Sequence, residues 1–257
     1  MTPAQLSRAV LRSARELGVA GPLPDRVQLR PRGDGIWGTA IALRLAGAAG
    51  LSADDVARGI GERLVAVPGV RGVEVREGGF LQITLAEGHQ ADLLRELTDG
   101  PAPGNPPEQL PEQLPEDPAN DAARWAEAAG GPVSLVQRDE NPLFRVRYAH
   151  ARAQALLRGG RALGLAPEPG AAVLAHRSER ALLAALGEQV TGGERMARRL
   201  LLVADAFLAT ERERSALPVG DEEPAARHRA RLALARAAAL VLARGLRELG
   251  ISAPDHL

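Results

Sequence analysis

An aromatic ring framed by two guanidiniums is the pattern in this sequence best suited to holding a ligand. Arg145, Tyr148 and Arg152 stand at i, i+3 and i+7. At 100° per residue they share one flank of a helix. A planar ring between two cations can stack an unpaired base while the guanidiniums take phosphates. The competing reading has Tyr148 covering the core edge and both arginines solvated, since exposed charged faces are common. A second sector of the same helix holds Arg147, His150, Gln154, Arg158 and Arg161, a basic polar stripe. A third holds Val146, Ala149, Ala153, Leu156 and Gly160, which is the core face. Near the C-terminus Arg229, Arg236, Arg244 and Arg247 fall within about 80° at helical pitch. Four cations on one face either follow a phosphate backbone or simply face water. Leu232, Ala235, Ala239, Leu242, Leu246 and Leu249 of that segment point inward.

Other chemistries are poorly served. The chain has no Cys, so disulfides, thiolate metal sites and cysteine nucleophiles are absent. All 32 basic residues are Arg. Without Lys there is no Walker A loop, no Schiff base and no kinase-type Lys–Glu pair. His89, His150, His176, His228 and His256 share no metal-ligand spacing, so neither a metal nor a cofactor is expected. Too many acids are equivalent to nominate a catalytic pair. Gly33, Gly35 and Gly38 spell G-x-G-x-x-G, with Asp54 and Asp55 about 20 residues on, a weak dinucleotide fingerprint. A plain turn before a helix explains the same glycines.

The elements that must position these residues follow from composition and periodicity. Of the 257 residues 45% are hydrophobic, enough for a sizeable core, and 2% are aromatic, which favours helix over sandwich or barrel. Net charge is +0, so no global field draws the chain to nucleic acid or membrane. No apolar run approaches a membrane span. The Arg-spaced N-terminus reads as a surface helix with Pro3 in its first turn rather than a transit peptide, and a cytoplasmic location is expected. Residues 100–120 are proline-rich and acidic, with a tandem PEQL, and read as an extended linker. The expected domains are 1–99 and 121–257, joined by that linker.

Residues 1–99 read as α+β, helices on a small antiparallel sheet. The expected parts are a helix over 3–18, a short strand around Val27 and Leu29, and a buried helix over 38–49. A helix opened by Ser52 and Asp55 and running through Val67 comes next, then a hairpin around Glu77-Gly78-Gly79. Residues 121–257 read as an all-α bundle. Asn141-Pro142 opens a helix to about Leu163; others start at Ser178 and span 194–214 and 224–249, the last ended by Gly250.

Three stretches resemble arginyl-tRNA synthetases. Residues 141–152, NPLFRVRYAHAR, are similar to the signature near the start of their anticodon-binding (DALR-type) domain. Residues 231–257, RLALARAAALVLARGLRELGISAPDHL, look like their closing helix. Residues 33–86, with GD, AIALRLAG and GVRGVEVREGGFLQITL, resemble their N-terminal accessory domain, which in the family contacts the D-loop side of tRNA. In the family the catalytic domain lies between these modules; here the linker stands there, with neither HIGH nor KMSKS signatures. The resemblance therefore implies a non-catalytic tRNA-binding chain, with tRNA as partner and arginine tRNA as the family's own choice. The resemblance favours an RNA-facing role for Tyr148, Arg147 and Arg152, and the helix faces read above add Arg145, Arg236, Arg244 and Arg247. A protein-interaction module, or the non-catalytic part of a split arginine–tRNA ligase with a separate protein partner, is the alternative. Ala40 stands where the family has Asn before the IAL run, Trp37 looks inserted, Arg147 replaces a Gln, and Leu257 replaces a terminal Met.

Overall fold

The structure is a computed structural model; it describes residues 1–18, 22–99, 114–188, 190 and 192–257. The chain falls into two compact units, Met1–Leu93 with Gly187–Gln189, and Leu94–Leu186 with Val190–Leu257.

The first unit is a four-stranded antiparallel sheet with helices on it. Its order is α1 (Pro3–Glu16), β1 (Arg30–Gly33), β2 (Ile36–Thr39), α2 (Ile41–Ala49), α3 (Ala53–Leu64), β3 (Val70–Arg76) and β4 (Phe80–Leu85), with strands arranged β1-β2-β4-β3. The helix α4 (His89–Asp99) begins in this unit. Local chemistry sets the boundaries. Thr2 accepts from the Gln5 amide at 3.2 Å while its own amide donates to Gln5 at 3.0 Å, a reciprocal cap for α1. Ser52 caps α3 through the Asp55 amide at 3.1 Å. Gly78 and Gly79 both take φ of 74° in the β3–β4 turn. A Cβ on Gly79 would lie 2.6 Å from the Ala53 carbonyl oxygen, so only glycine fits that turn.

Strand β4 alternates as its sequence does: Leu81, Ile83 and Leu85 are buried and their neighbours are half-buried. They meet Val56, Ala57, Ile60 and Leu64 of α3 and Leu6, Val10 and Ala14 of α1 in one core, which also takes in Trp37. The opposite face of the sheet carries Arg30, Arg32, Gly38 and Phe80.

Several expectations are corrected. The segment around Val27 and Leu29 is not a strand, because Val27 is buried with its amide donating to Ser7 Oγ at 2.9 Å. Residues 38–39 belong to β2, and α2 exposes Leu43 and Arg44, so it is not a buried helix. The helix from Ser52 stops at Leu64. Gly33 and Gly35 flank an antiparallel β1–β2 turn and Gly38 lies within β2, so the glycine fingerprint has no strand-to-helix unit to serve.

The second unit is all-helical: α5 (Pro118–Ala129), α6 (Pro142–Ala162), α7 (Arg177–Gly187), α8 (Gly193–Glu213) and α9 (Ala226–Glu248). Helices α6, α8 and α9 pack mutually and α5 lies on α8. Helix α9 is buried on nearly every side, through Leu232, Leu234, Ala238, Leu242 and Leu246 among others. Gly245 admits Leu200 to its backbone; a Cβ there would sit 2.6 Å from that side chain. Composition placed 118–120 in the linker, yet Asp117 caps a helix there through the Asn120 amide at 3.1 Å, with Pro118 in its first turn. Residues 100–113 of the expected linker lie outside the described residues.

Candidate nucleic-acid interface

Helix α6 positions the residues of interest. Asn141 Oδ1 accepts from the Leu143 amide at 3.1 Å, and Pro142 fills the first turn, so the start of the helix is fixed by the two residues that signalled it. Asn141 Nδ2 also donates to the Val136 carbonyl at 2.7 Å, anchoring the preceding segment. Val146, Ala149, Ala153, Leu156 and Gly160 are buried. That fixes the rotation of α6 and turns Tyr148 outward, 41% exposed.

Tyr148 is not an isolated ring. Phe144, one turn earlier, stacks on it with centroids 5.9 Å apart and planes 23° from parallel. Reading the sequence missed Phe144, although its i, i+4 relation to Tyr148 was available as a signal. Arg145 and Arg152 flank the pair as expected, but α8 clamps both: Arg145 pairs with Asp205, and Arg152 Nε donates to Glu211 Oε1 at 2.5 Å. The two acids lie about sixty residues away in sequence, beyond any local pattern. The ring pair is thus bordered by two neutralised ion pairs rather than two free cations.

The second sector of α6 is not a solvated stripe. Arg147 is 12% exposed and donates to Asp121 Oδ2 at 2.8 Å and to Ser252 Oγ. Asp121 also accepts from the Ser252 amide at 3.1 Å and from its hydroxyl at 2.7 Å. Buried His150 donates from Nδ1 to the Pro254 carbonyl at 3.0 Å, and burial holds its pKa below the ordinary imidazole value. Gln154 donates to Asp255 at 3.0 Å and Arg158 to the Asp255 carbonyl at 3.3 Å. Residues 251–257 therefore lie along this sector; Arg161 beyond them stays exposed. Arg147, expected to face RNA, is half of a largely buried ion pair, and a phosphate contact would have to break that pair first.

On α9 the one lane open to solvent carries the predicted arginines. Arg236 is exposed, Arg244 and Arg247 half-buried, and Arg229 pairs with Glu168 at 2.8 Å. Among the described residues no acid pairs with Arg236 or Arg244. Arg231 points elsewhere, into a buried pair with Glu179 at 2.8 Å and the Ser215 carbonyl at 3.0 Å. The candidates thus divide: Arg145, Tyr148 and Arg152 share the α6–α8 edge, Arg236, Arg244 and Arg247 share the α9 lane, and Arg147 is interior. Among the described residues no three His, Asp or Glu side chains converge to hold a metal, and no helix is long and apolar enough to cross a membrane.

An antiparallel α6–α9 pair, supported by α8 and α5, forms a helical bundle that bears a stacked aromatic pair on its rim. Residues 146–257 match the DALR anticodon binding domain. The chain is 40% identical over 133 residues to an arginine–tRNA ligase of Frankia alni (strain DSM 45986 / CECT 9034 / ACN14a), a match covering 47% of this chain and 24% of that enzyme. The matched stretch is thus similar to part of an arginine–tRNA ligase, and the chain spans about a quarter of the length of that curated relative.

Proposed function

We propose that this chain binds tRNA without aminoacylating it, its helical bundle holding the anticodon arm. The observation that carries the reading is the match of 146–257 to an anticodon-binding domain whose rim, in this chain, presents Tyr148 stacked on Phe144. Tyr148 offers a face to an unpaired base, and Arg236, Arg244 and Arg247 take phosphates along α9. Arg145 and Arg152 contribute when a phosphate displaces Asp205 or Glu211. The N-terminal unit touches the tRNA body as a second contact, and tethering raises the effective concentration of each site for the other. The absence of Lys leaves no KMSKS-type loop to stabilise an adenylate transition state, in keeping with a non-catalytic role.

A gel shift with tRNA across a salt series tests this. Three or four phosphate contacts predict a loss on the order of 50-fold in affinity between 50 and 200 mM salt. Tyr148→Ala combined with Arg236→Glu and Arg244→Glu removes the stacked base and reverses the free charges, and abolishes the shift. Salt-independent binding, or an unaffected triple variant, overturns the reading; arginine-dependent ATP–pyrophosphate exchange by the purified chain overturns its non-catalytic part.

One observation favours a second reading. Val133, Leu135 and Val136 are all more than half exposed in the segment before α6, a short apolar run suited to a protein partner such as a separate catalytic chain. Co-purification of a nucleotide-binding subunit that is lost on Leu135→Asp with Val136→Asp supports that reading.

A further inference from the structure

The face of the first unit's sheet that lies away from its core is not flat. A cavity of about 230 Å³ opens there, lined by Arg30 and Arg32 of β1, Gly38 and Thr39 of β2, the first turn of α2, and Phe80 of β4. Arg44 completes the wall one turn into α2. Three guanidiniums thus converge on one space that no acid lines. Among the described residues none of the three forms an ion pair. Leaving three like charges together costs repulsion that an anion relieves.

The cavity is built rather than incidental. Gly38 has no side chain because Phe80 lies on its backbone: a Cβ there would be 2.8 Å from the ring and 3.2 Å from Arg32 Nε. Phe80 in turn carries the Arg32 guanidinium over its face, 5.3 Å from the centroid, which fixes where that cation points. The start of α2 adds to the same space. Its N-cap is Ala40, with no side-chain cap, and only the Ile41 amide is met by a neighbouring hydroxyl, Thr39 Oγ1 at 3.2 Å. The unmet first-turn amides and the positive end of the helix dipole favour an anion there.

We propose that this cavity is a binding site for a phosphate monoester or pyrophosphate group. A single negative charge, such as a carboxylate or a phosphodiester, leaves two of the three guanidiniums uncompensated. A phosphate dianion leaves only one uncompensated and a diphosphate leaves none, and Arg binds phosphate oxygens in bidentate fashion. The space exceeds one phosphate, which suits a diphosphate or a nucleoside phosphate. The same chemistry is supplied by a free nucleotide and by the 5′-phosphate end of an RNA. The site is independent of the anticodon-arm reading, since it uses none of the residues of the helical bundle.

Calorimetric titration of the full chain with pyrophosphate and with ATP at low salt tests the proposal. Saturable binding at millimolar or tighter affinity is expected, weakened on the order of tenfold by Arg44→Ala and further by Arg30→Ala with Arg44→Ala. Both arginines are exposed, and an unchanged melting curve verifies that the variants fold. A short RNA with and without its 5′-phosphate identifies the source: preference for the phosphorylated end assigns an RNA terminus, and equal binding assigns the free ligand. No binding at millimolar concentration, or equal binding by the double variant and the parent, overturns the site. Tyr148→Ala leaves pyrophosphate binding unchanged, so failure here is distinguishable from failure of the tRNA reading.

Discussion

Replacing Arg147 by Ala separates a structural arginine from an RNA-binding one. In the parent, Asp121 is 2% exposed and receives the guanidinium, the Ser252 hydroxyl and the Ser252 amide. Arg147→Ala removes the cation and leaves a buried carboxylate with two neutral donors. Breaking a buried pair from one side costs roughly 3–5 kcal/mol. The two remaining Ser252 bonds place this case near the lower end, about 3 kcal/mol. Asp121→Ala is expected to cost a similar amount, because it strands a guanidinium whose Nε already lacks a partner. The double variant Arg147→Ala with Asp121→Ala loses both charges together, so it costs less than the two single changes summed, by at least about 1 kcal/mol. Urea unfolding at neutral pH measures all three. Binding of tRNA by Arg147→Ala, taken where it remains folded, is expected to match the parent. Unchanged stability with a tenfold or larger loss of tRNA affinity refutes the reasoning, for Arg147 then acts on RNA rather than on the fold.

Two other outcomes are expected. Asp205→Asn with Glu211→Gln releases the guanidiniums beside Tyr148, so tRNA affinity rises severalfold and the salt dependence steepens by one to two contacts; a filter-binding salt titration reads both. His150 carries a folded-state pKa below its unfolded value, chiefly through burial. As pH falls through about 6.5 the unfolded chain takes up a proton that the native state refuses, so stability drops with acidification and is fully present above that range. Melting temperatures between pH 5 and 8 show this slope, and His150→Gln flattens it; an equal slope in the variant removes His150 as its source.

Much of the fold was legible where local chemistry decides it. Asn141-Pro142 and Ser52 start helices because a side-chain oxygen within three residues meets the free amides, and no distant partner is needed. The apolar spacing of α6 sorted its buried face correctly, since period 3.6 is a property of the segment itself; on α9 it found Leu232, Ala235, Ala239, Leu242 and Leu246 but not the burial of Leu234, Ala238 and Val241, nor that Leu249 is only half-buried. The antiparallel hairpin at Gly78-Gly79 was equally local. Hidden features depended on partners far along the chain. The polar sector of α6 looked solvated because the segment that covers it, with Ser252 and Pro254, follows more than a hundred residues later. Asp205 and Glu211, which neutralise the rim arginines, were invisible for the same reason. Helix α5 was concealed by its neighbours: the Pro density that reads as a linker also supplied Pro118, which in a first turn starts a helix rather than preventing one. Val27 alternated like a strand residue, but its amide was taken by Ser7 across the core.

The bond between Asp121 and Ser252 spans 131 positions, and it sets a minimum for any excised fragment of the bundle. A piece trimmed at residue 146, where the anticodon-domain match begins, leaves behind Asp121 and the Ala122 and Trp125 side chains of α5. Arg147 and Ser252 then share an interior with no carboxylate, beneath apolar surface stripped of its cover. A recombinant piece intended to stand alone has to start no later than Asp117, so that α5 arrives capped and closes the far side.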